Sequence, residues 1–336
     1  MKVEDMQLLK KSKKKLGIFF SNNTSLEEWK NRGFLDREIN YYKKLSKENF
    51  DITLFTYGDK KDLKFKKKLL PLKIVPLYAY LRFPNVTFLR TFLNFLFPVI
   101  FKKEILKLDI IKSNQVWGAI IPCLIKLFYK IPFYIRSGWE PSYRSSDFDI
   151  SKLKIIFILV NSLICYRYAD YILVSSKKIF FHIKKKFRIE KKISILENFI
   201  DLEVFRPKAI QRNKNQVLMV SRVTPQKNME LLINALSGTN MLLLHAGFIS
   251  KKKKSEITLL AKEKKTKLKL LGSIKNTKLS HYYNTSGVYV ICSKIEGNPK
   301  SLLEAMACKC PVVGTNVEGI NDIIKDNKNG LLCSEN

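Results

Sequence analysis

Two glutamates, Glu296 and Glu304, lie eight positions apart in SKIEGNPKSLLEAMACKCPVVGT, in a chain with 62 basic residues and only 29 acidic ones. Asn298 is a favoured helix N-cap and Pro299 suits the first helical position, so the pattern predicts a helix over residues 299–307. Glu296 then lies in the preceding loop and Glu304 in the second turn, so the two do not share one helix face. The N-terminus of such a helix favours an anion, because its first N–H groups are free.

Two cations, Arg222 and Lys227, fall in a loop of VLMVSRVTPQKNMELLINAL, between a predicted strand that ends at Ser221 and a helix that begins near Asn228. Ligands of parallel sheets bind beyond the carboxyl ends of the strands, so the two side chains could hold a diphosphate, the arginine by its planar fork and the lysine as a point charge. A carboxylate beside that diphosphate would accept hydrogen bonds from the hydroxyls of a sugar. The alternative is that all these groups are ordinary surface charges of a cation-rich protein.

Short apolar runs alternate with amphipathic segments along the chain, which is typical of β-α-β units and a mainly parallel sheet. The predicted strands of the first half are LGIFFS, DITLFTY, KIVPLY, LDIIKSN, IPFYIRS, YILVSS and KISILEN, with helices over 35–46 and 151–169. Those of the second half are QVLMVSR, MLLLHAG, LKLLGS, VYVICS and PVVGT. We therefore predict an α/β fold with two Rossmann-like domains, an N-terminal one over 16–197 and a C-terminal one over 198–336, that follow a basic leader at 1–15 and face a central cleft.

The formal net charge of +33 favours an anionic partner, such as nucleic acid, an anionic membrane face or a phosphate-bearing substrate, although a lysine-rich solvated surface explains it equally well. FLRTFLNFLFPVIFKKEILK and SKKIFFHIKKKF combine apolar residues with cations, which suits either an anionic membrane surface or helices packed on a sheet. No run reaches the roughly 18 apolar residues of a membrane span, and IIFILVNSLIC is too short.

Six cysteines without a C-x-x-C pair indicate reduced, mostly buried thiols. We expect a cytoplasmic protein, with peripheral membrane contact left open.

Four motifs carry a resemblance to a known family. EGNPKSLLE has the pattern E-x7-E, SRVTPQKN has R-x4-K, and ENFIDLEVFRP is similar to an interdomain segment N-G-V-D-x-x-x-F-x-P. With GINDIIKDNKNGLL, and in this order, they resemble the GT-B glycosyltransferases of family 4, the group 1 retaining enzymes. The resemblance is strong over 192–332 and looser, mainly in strand order, over 16–191.

The resemblance implies roles for the charged residues. Arg222 and Lys227 would hold the diphosphate of a nucleotide-sugar donor and stabilise the charge that grows on it. Glu296 would act beside the transferred sugar, and Glu304 would bind the ribose hydroxyls of the nucleotide. The catalytic residues would be Glu296, Arg222 and Lys227. The donor-binding residues would be Gly33, Arg222, Lys227, Glu296, Gly297, Asn298, Pro299, Lys300, Ser301, Leu302 and Glu304.

The first domain would be the acceptor side. Gly33 follows the first strand, where the family often has two glycines that let the backbone approach a phosphate. Asn114, Arg136 and Gly138 follow later strand ends and are assigned to the acceptor or the transferred sugar, with ordinary loop residues as the alternative. No histidine precedes His182, so the histidine that some relatives place in this domain is absent.

Several positions depart from the family pattern. Lys309 stands where a glycine usually follows the helix, so that a left-handed residue there would cost about 1 kcal/mol. Glu318 and Asp322 replace the first glycine and the glutamate of a G-G-x-x-E loop, and Phe199 replaces the glycine after the linker asparagine. Relatives usually continue past NGLLC with further helices, so the chain is expected either to be truncated or to dispense with them.

The predicted activity is that of a retaining hexosyltransferase, which moves a sugar from a nucleotide-diphosphate donor to a hydroxyl of a lipid-linked or cell-surface polysaccharide acceptor, as in lipopolysaccharide synthesis. We expect no cofactor and no metal, since the D-x-D-like stretch 147–149 has no evident companion ligand. Two alternatives are a non-transferring GT-B relative, such as an epimerase or a phosphorylase, and a basic nucleic-acid-binding protein. The lysines are dispersed and no recognition motif appears, which argues against nucleic acid.

Overall fold

The computed structural model of the protein describes residues 13–33, 35–79, 94–138, 140, 142–143, 152–189 and 192–334, with side chains in the segment 152–189 described from 155 onward. The chain divides into two compact units. The first contains Met1–Trp29 and Arg37–Leu196, and the second contains Lys30–Asp36 and Glu197–Asn336. Among the described residues, none of the helices is long and apolar enough to cross a membrane.

The first unit is built on a seven-stranded parallel sheet with the order β3-β2-β1-β4-β5-β6-β7. Its strands are β1 Lys14–Phe19, β2 Phe50–Thr56, β3 Lys73–Pro76, β4 Ile110–Ser113, β5 Phe133–Ser137, β6 Tyr171–Val174 and β7 Ile193–Ile195. Its helices are α2 Leu35–Glu48, α3 Lys66–Leu69, α4 Phe97–Ile100, α5 Lys102–Ile105, α6 Ile120–Tyr129, α7 Lys152–Tyr168 and α8 Lys177–Phe187, and α1 Leu26–Asn31 leads from the first unit into the segment Lys30–Asp36.

The second unit repeats the plan with six parallel strands in the order β10-β9-β8-β11-β12-β13. The strands are β8 Asn213–Val220, β9 Leu242–Ala246, β10 Lys267–Gly272, β11 Ser286–Ile291, β12 Val312–Thr315 and β13 Leu331–Cys333. The helices are α9 Met229–Ala235, α10 Lys251–Glu263, α11 Asn276–Thr285 and α12 Lys300–Ala307.

Strand β8 shows why the sheet is covered on both faces. Val217 and Met219 pack into one hydrophobic cluster, whereas Leu218 between them packs into the other. Successive side chains of a strand point to opposite faces, so a strand that is apolar at every position must be buried on both sides. The helices that connect parallel strands supply that cover.

Each sheet reverses its direction of winding at one place, between β1 and β4 in the first unit and between β8 and β11 in the second. The strands β8 and β11 are direct neighbours, with Leu218 opposite Tyr289. At such a point the loops that leave the two carboxyl ends turn away in opposite directions and open a crevice between them. The residues after β8 and after β11 are therefore placed around one crevice.

The apolar runs located β1 to β12 correctly in the sequence, and helix α2 begins at Leu35 as predicted. Strand β13 was missed. It has only three residues, Leu331–Cys333, and pairs with Val313, Gly314 and Thr315 of β12. Three apolar residues after Gly330 carry no periodicity, and their pairing partner determines their conformation.

The end of α12 confirms the expected left-handed residue. Lys309 has a φ of 51°, its N–H donates to the carbonyl of Met306 at 2.9 Å, and the N–H of Cys310 donates to the carbonyl of Ala305 at 3.0 Å. These two bonds form a Schellman motif, in which glycine is the usual left-handed residue. Lys265 ends α10 in the same way, with a φ of 52°.

The first prediction concerns these two caps. Lys309→Gly and Lys265→Gly should each raise the free energy of unfolding by about 1 kcal/mol, because glycine adopts the left-handed conformation without a clash at Cβ. Lys254→Gly, a control inside α10, should lower it by about 1 kcal/mol. Urea denaturation followed by circular dichroism measures all three. A loss of stability at both cap positions would contradict the assignment.

Candidate functional site

The loops after β8 and β11 are tied together by their backbones. The chain leaves β8 through Ser221 and Arg222 and forms a 3-10 turn, Pro225–Lys227, before α9. The N–H of Lys294, after β11, donates to the carbonyl of Gln226 at 2.9 Å, and the Gln226 side-chain amide donates to the carbonyl of Ile295 at 2.9 Å. These bonds hold the two loops at fixed positions on either side of the crevice.

An ion pair joins the two loops at the centre of the site. The Nζ of Lys227 donates to Oε1 of Glu296, and the hydroxyl of Ser293 donates to the same oxygen at 2.7 Å. Both charged side chains are largely withdrawn from water, with exposures of 19% for Lys227 and 9% for Glu296. Charge-assisted bonds of this kind fix the carboxylate and the ammonium in one orientation.

The pair lines a small cavity at the carboxyl ends of β8 and β11. The polar side chains around it, besides Lys227 and Glu296, are those of Ser221, Tyr289, Ser293 and Ser301. The hydroxyl of Tyr289 donates to Oγ of Ser301 at 2.8 Å, which links β11 to the first turn of α12. The cavity therefore brings together residues of both predicted motifs.

Arg222 differs from Lys227 in its partners. Within the part of the chain that the structure describes, its guanidinium makes no hydrogen bond or ion pair. Burial lowers the pKa of Arg222, the nearby Arg32 of the segment Lys30–Asp36 lowers it further, and Glu296 opposes both. Two neighbouring cations repel each other, and an anion bound beside Arg222 would offset that repulsion.

The backbone of the loop that carries Glu296 is held from two sides. The N–H of Glu296 donates to the carbonyl of Glu318 at 3.0 Å, and the side-chain amide of Asn198 donates to the carbonyl of Asn298 at 2.6 Å. Gly319 has a φ of 81°, and a Cβ at this position would clash with the carbonyl group of Glu296. Only glycine fits there, so the loop containing Glu318 can support the Glu296 loop at close range.

The predicted start of α12 was wrong by one residue. Pro299 is the N-cap, with an extended backbone, and its carbonyl accepts from the N–H groups of Leu302 and Leu303 at 3.2 and 3.3 Å. Asn298, predicted to be the cap, lies one residue earlier, and its buried Oδ1 has no hydrogen-bond partner among the described residues. The bond from Asn198 to the carbonyl of Asn298 fixes this part of the loop from outside the helix.

Glu304 lies in the second turn of α12 and is almost fully buried, with 3% exposure. Its carboxylate accepts from the Tyr283 hydroxyl at 3.0 Å and from the Asn276 side-chain amide at 3.3 Å, both on α11. Burial, and secondly the charge of Glu304, raise the pKa of Tyr283 well above its usual value. The structure therefore gives Glu304 a part in packing α12 against α11, and its ribose-binding role stays a prediction.

The other predicted donor residues take different positions. The Leu302 side chain is completely buried in the core, so only its backbone is available to a ligand. The ammonium of Lys300 lies 5.4 Å from the ring centre of Phe199, at a distance typical of a cation–π contact. Gly297 is half-buried in the loop before α12. Gly33 has a φ of 76°, which only glycine adopts easily, and lies in the Lys30–Asp36 segment.

The three predicted acceptor-side residues lie at the carboxyl ends of β4 and β5. Asn114 accepts a hydrogen bond from the Tyr42 hydroxyl, Arg136 is half-buried within β5, and the N–H of Gly138 donates to Oε1 of Gln115 at 3.1 Å. Ser175 after β6 donates to the carbonyl of Gly138 at 2.9 Å. The structure thus brings the loops after β4, β5 and β6 together, while the role of these residues stays a prediction.

Sequence reasoning missed Ser293, Tyr289 and Gly319 as parts of the site. Ser293 follows β11 directly and lies three residues before Glu296, a spacing that a search for carboxylate partners could have found. The bond from Tyr289 to Ser301 and the close approach of Gly319 to Glu296 join distant segments and leave no local pattern. No group of three or more metal-binding side chains occurs among the described residues, and the stretch 147–149 lies outside them.

Comparisons with known proteins point to glycosyltransferases. Residues 201–336 match the family model described as Glycosyl transferases group 1. A curated Haemophilus influenzae protein, an uncharacterized glycosyltransferase, is 37% identical over 59 residues, which are 17% of this chain and 17% of that relative. The matched segments span 17%, 34% and 37% of the lengths of three curated relatives.

Solved structures are similar over nearly the whole chain. A sucrose-phosphate synthase from Thermosynechococcus elongatus gives a TM-score of 0.75 at 15% identity, covering 96% of this chain and 86% of the other. Anabaena Alr3699/HepE in complex with UDP and glucose gives 0.69 at 16% identity, with 96% and 86% covered. The solved structures confirm the predicted GT-B fold, and the family match over residues 201–336 confirms the resemblance to glycosyltransferases of group 1. Assignment to family 4 stays a prediction.

The second prediction tests the close contact beneath Glu296. Gly319→Ala should lower the free energy of unfolding by about 2–3 kcal/mol or more, since the new Cβ must displace the Glu296 carbonyl as well as adopt a positive φ. Gly238→Ala is the matched control, because Gly238 has a φ of 70° and no other atom lies within 4 Å of the position that a Cβ would take. It should cost only about 1 kcal/mol. Equal losses in urea denaturation would show that the contact with Glu296 does not constrain the loop.

Proposed function

We propose that the chain is a retaining glycosyltransferase that transfers a hexose from a nucleotide-diphosphate sugar to a hydroxyl of a lipid-linked or cell-surface polysaccharide acceptor. The observation that carries the proposal is the exposed guanidinium of Arg222, unpaired among the described residues, beside the Lys227–Glu296 ion pair where the second sheet reverses its direction of winding. This arrangement combines a site for an anion with an oriented carboxylate. A sugar diphosphate needs both, the first for its phosphates and the second for its hydroxyls.

The donor diphosphate is assigned to the two cations of the loop after β8. Arg222 can bind two phosphate oxygens with its planar fork, and Lys227 adds a point charge. The N-terminus of α12 follows the same loop as Glu296 and adds free backbone N–H groups. The solved complex of Alr3699/HepE with UDP and glucose is consistent with a nucleotide sugar as the donor.

Glu296 is assigned to the hydroxyls of the transferred sugar. Ser293 and Lys227 hold one of its oxygens, and this keeps the carboxylate in a single orientation toward the cavity. Among the described residues that line the cavity, Glu296 is the only acid. A retaining reaction through a glycosyl-enzyme would need a nucleophile and a separate acid/base carboxyl about 5 Å apart, so we propose direct attack on the same face of the sugar.

In that reaction the bond between the anomeric carbon and the diphosphate oxygen breaks, and the diphosphate leaves with the electron pair. The acceptor oxygen bonds to the anomeric carbon from the same side, and its proton passes to the departing phosphate oxygen. Arg222 and Lys227 stabilise the negative charge that grows on the diphosphate as the bond breaks. Since two cations do this, the proposal requires no metal and no further cofactor.

The acceptor is proposed to be a saccharide that is linked to lipid or to a surface polysaccharide, reached from the cytoplasmic face of the membrane by peripheral contact. Asn114, Arg136 and Gly138 remain the residues assigned to the acceptor side. Nucleic acid is not among the proposed partners, because the charges of the donor site serve a diphosphate and no base-stacking platform accompanies them in the described part of the site.

The third prediction tests the donor site with a screen of nucleotide sugars against saccharide acceptors. Glu296→Ala and Lys227→Ala should each lower kcat/KM by about a hundredfold or more, since each removes a charge that interacts with the reacting groups. Lys294→Ala is the control, because Lys294 is an exposed lysine of the same loop whose side chain does not line the cavity. It should retain wild-type turnover.

Product analysis distinguishes the alternatives. Transfer gives a lengthened acceptor and a nucleoside diphosphate, whereas an epimerase would change the donor sugar without an acceptor and a phosphorylase would release a sugar phosphate. Unchanged turnover in both Glu296→Ala and Lys227→Ala would contradict the site assignment. An altered donor without any lengthened acceptor would contradict transfer.

A further inference from the structure

Helix α7 of the first unit is apolar on two opposite sides. Ile158, Cys165 and Tyr166 face inward and are buried. The outward side also carries large apolar residues, with exposures between 38% and 61%, namely Ile156, Phe157, Val160, Leu163, Ile164 and Tyr168. Their spacing of i, i+1, i+4, i+7, i+8 and i+12 places them on one face. A surface helix normally turns polar residues outward, so this helix has an apolar face without a partner in the chain as described.

The neighbouring helices of the first unit also expose large apolar residues. Right-handed crossovers between parallel strands place α6, α7 and α8, which follow β4, β5 and β6, on the same side of the sheet. The Tyr129 hydroxyl of α6 donates to the carbonyl of Pro98 in α4 at 2.9 Å, and the ring of Tyr166 in α7 contacts that of Phe187 in α8. We call this layer the apolar helix face. Its further exposed apolar residues are Leu96, Val99, Ile100, Phe128 and Phe181.

The helices that carry the apolar helix face also carry many exposed cations and few exposed acids. Helix α8 buries Ile179, Ile183 and Phe187 and carries exposed lysines on its other side. Exposed cations of these helices and of the turns next to them include Lys102, Lys103, Lys130, Lys177, Lys178, Lys185 and Lys186, and the exposed Arg167 lies on the apolar side of α7 itself. The exposed acid on α5 is Glu104, and Asp170 after α7 is paired with Lys126. The apolar centre therefore has a strongly cationic margin.

We infer that the apolar helix face is a docking surface for an anionic lipid bilayer, with α7 lying parallel to the membrane plane. Folded monomers rarely expose a contiguous apolar patch of more than a few hundred Å² unless it binds something. Interfacial helices place their apolar face at the boundary of head groups and acyl chains, while lysines and arginines contact anionic head groups. The inference deepens the proposed function and rests on it in one respect, because it assigns a surface to the lipid that carries the acceptor.

A second copy of the chain fits this surface less well. Two copies joined through the apolar helix face would bring two cationic margins together, and each chain carries a formal net charge of +33. Like charges directed at one another oppose association, whereas an anionic surface attracts the same margin. Charge complementarity therefore favours an anionic membrane over a second copy of the chain as the partner of this face.

The fourth prediction is tested by flotation of the full chain with vesicles of phosphatidylcholine and phosphatidylglycerol in equal parts. The wild type should float at low salt and progressively less as salt rises. The double variant Phe157→Gln/Leu163→Gln should partition about tenfold more weakly or worse, because it removes apolar area that enters the lipid. Leu259→Gln/Phe248→Gln, which changes exposed apolar residues of the second unit, is the matched control and should float like wild type.

The charge of the margin is tested in the same assay. Lys185→Gln/Lys186→Gln on α8 should weaken partition by about fivefold per lysine, since each lysine near an anionic surface contributes about 1 kcal/mol. Lys252→Gln/Lys254→Gln removes the same charge from exposed positions of α10 and should leave partition nearly unchanged. Circular dichroism checks that each variant is folded. As a second readout, Phe157→Trp should gain blue-shifted emission with vesicles, whereas Leu259→Trp should not.

Any of three results would overturn the inference: the wild type does not float at low salt, the α7 and control variants float equally, or sedimentation shows a dimer that Phe157→Gln/Leu163→Gln dissociates while no vesicle binding occurs. All of these measurements use vesicles without donor or acceptor. A protein that binds vesicles but transfers no sugar would refute the proposed activity and leave the docking surface standing. A protein that transfers sugar but binds no vesicles would refute the docking surface and leave the proposed activity standing.

Discussion

The second unit is organised around the desolvated pair of Lys227 and Glu296. A carboxylate and an ammonium that are both largely buried are tolerated only when each neutralises the other and the remaining lone pairs and protons have partners. The pair joins residues 69 positions apart, so the loops after β8 and β11 must meet within hydrogen-bond distance. Three features bring the loops together. Strands β8 and β11 are adjacent in the sheet, Gln226 bonds to the second loop, and Gly319 closely approaches Glu296.

Arg222 determines which class of ligand suits the site. Glu296 already has a cationic partner, so the charge of Arg222 is left to interact with whatever enters the crevice. A neutral sugar alone would not neutralise the guanidinium, whereas a sugar diphosphate supplies both the anion and the hydroxyls. Glu304 contributes differently, because its carboxylate is bound by α11 and helps to set the angle at which α12 presents its N-terminus.

The first unit is constrained by a different problem. Seven parallel strands need helices on both faces, and α7 meets this need with a side that is continuous with the core. Its other side is equally apolar, which packing on the sheet does not require. The same helix thus stabilises the sheet and leaves a surface whose chemistry matches a lipid boundary rather than water.

The sequence alone determined the local features. Apolar runs located β1 to β12, the spacing of Arg222, Lys227, Glu296 and Glu304 defined the candidate site, and the non-glycine residue at position 309 predicted a left-handed cap that the structure contains. Such features depend on a few neighbouring residues, so a pattern of types and intervals is sufficient to predict them.

The tertiary structure decided which groups touch. It paired Glu296 with Lys227, left Arg222 without a partner in the described chain, gave the carboxylate of Glu304 to α11, paired β13 with β12 and moved the start of α12 to Pro299. It also showed that the outward side of α7 is exposed, although its residues are as apolar as those of a core. Burial and pairing depend on segments far apart in the chain, and no local pattern records the distance between them.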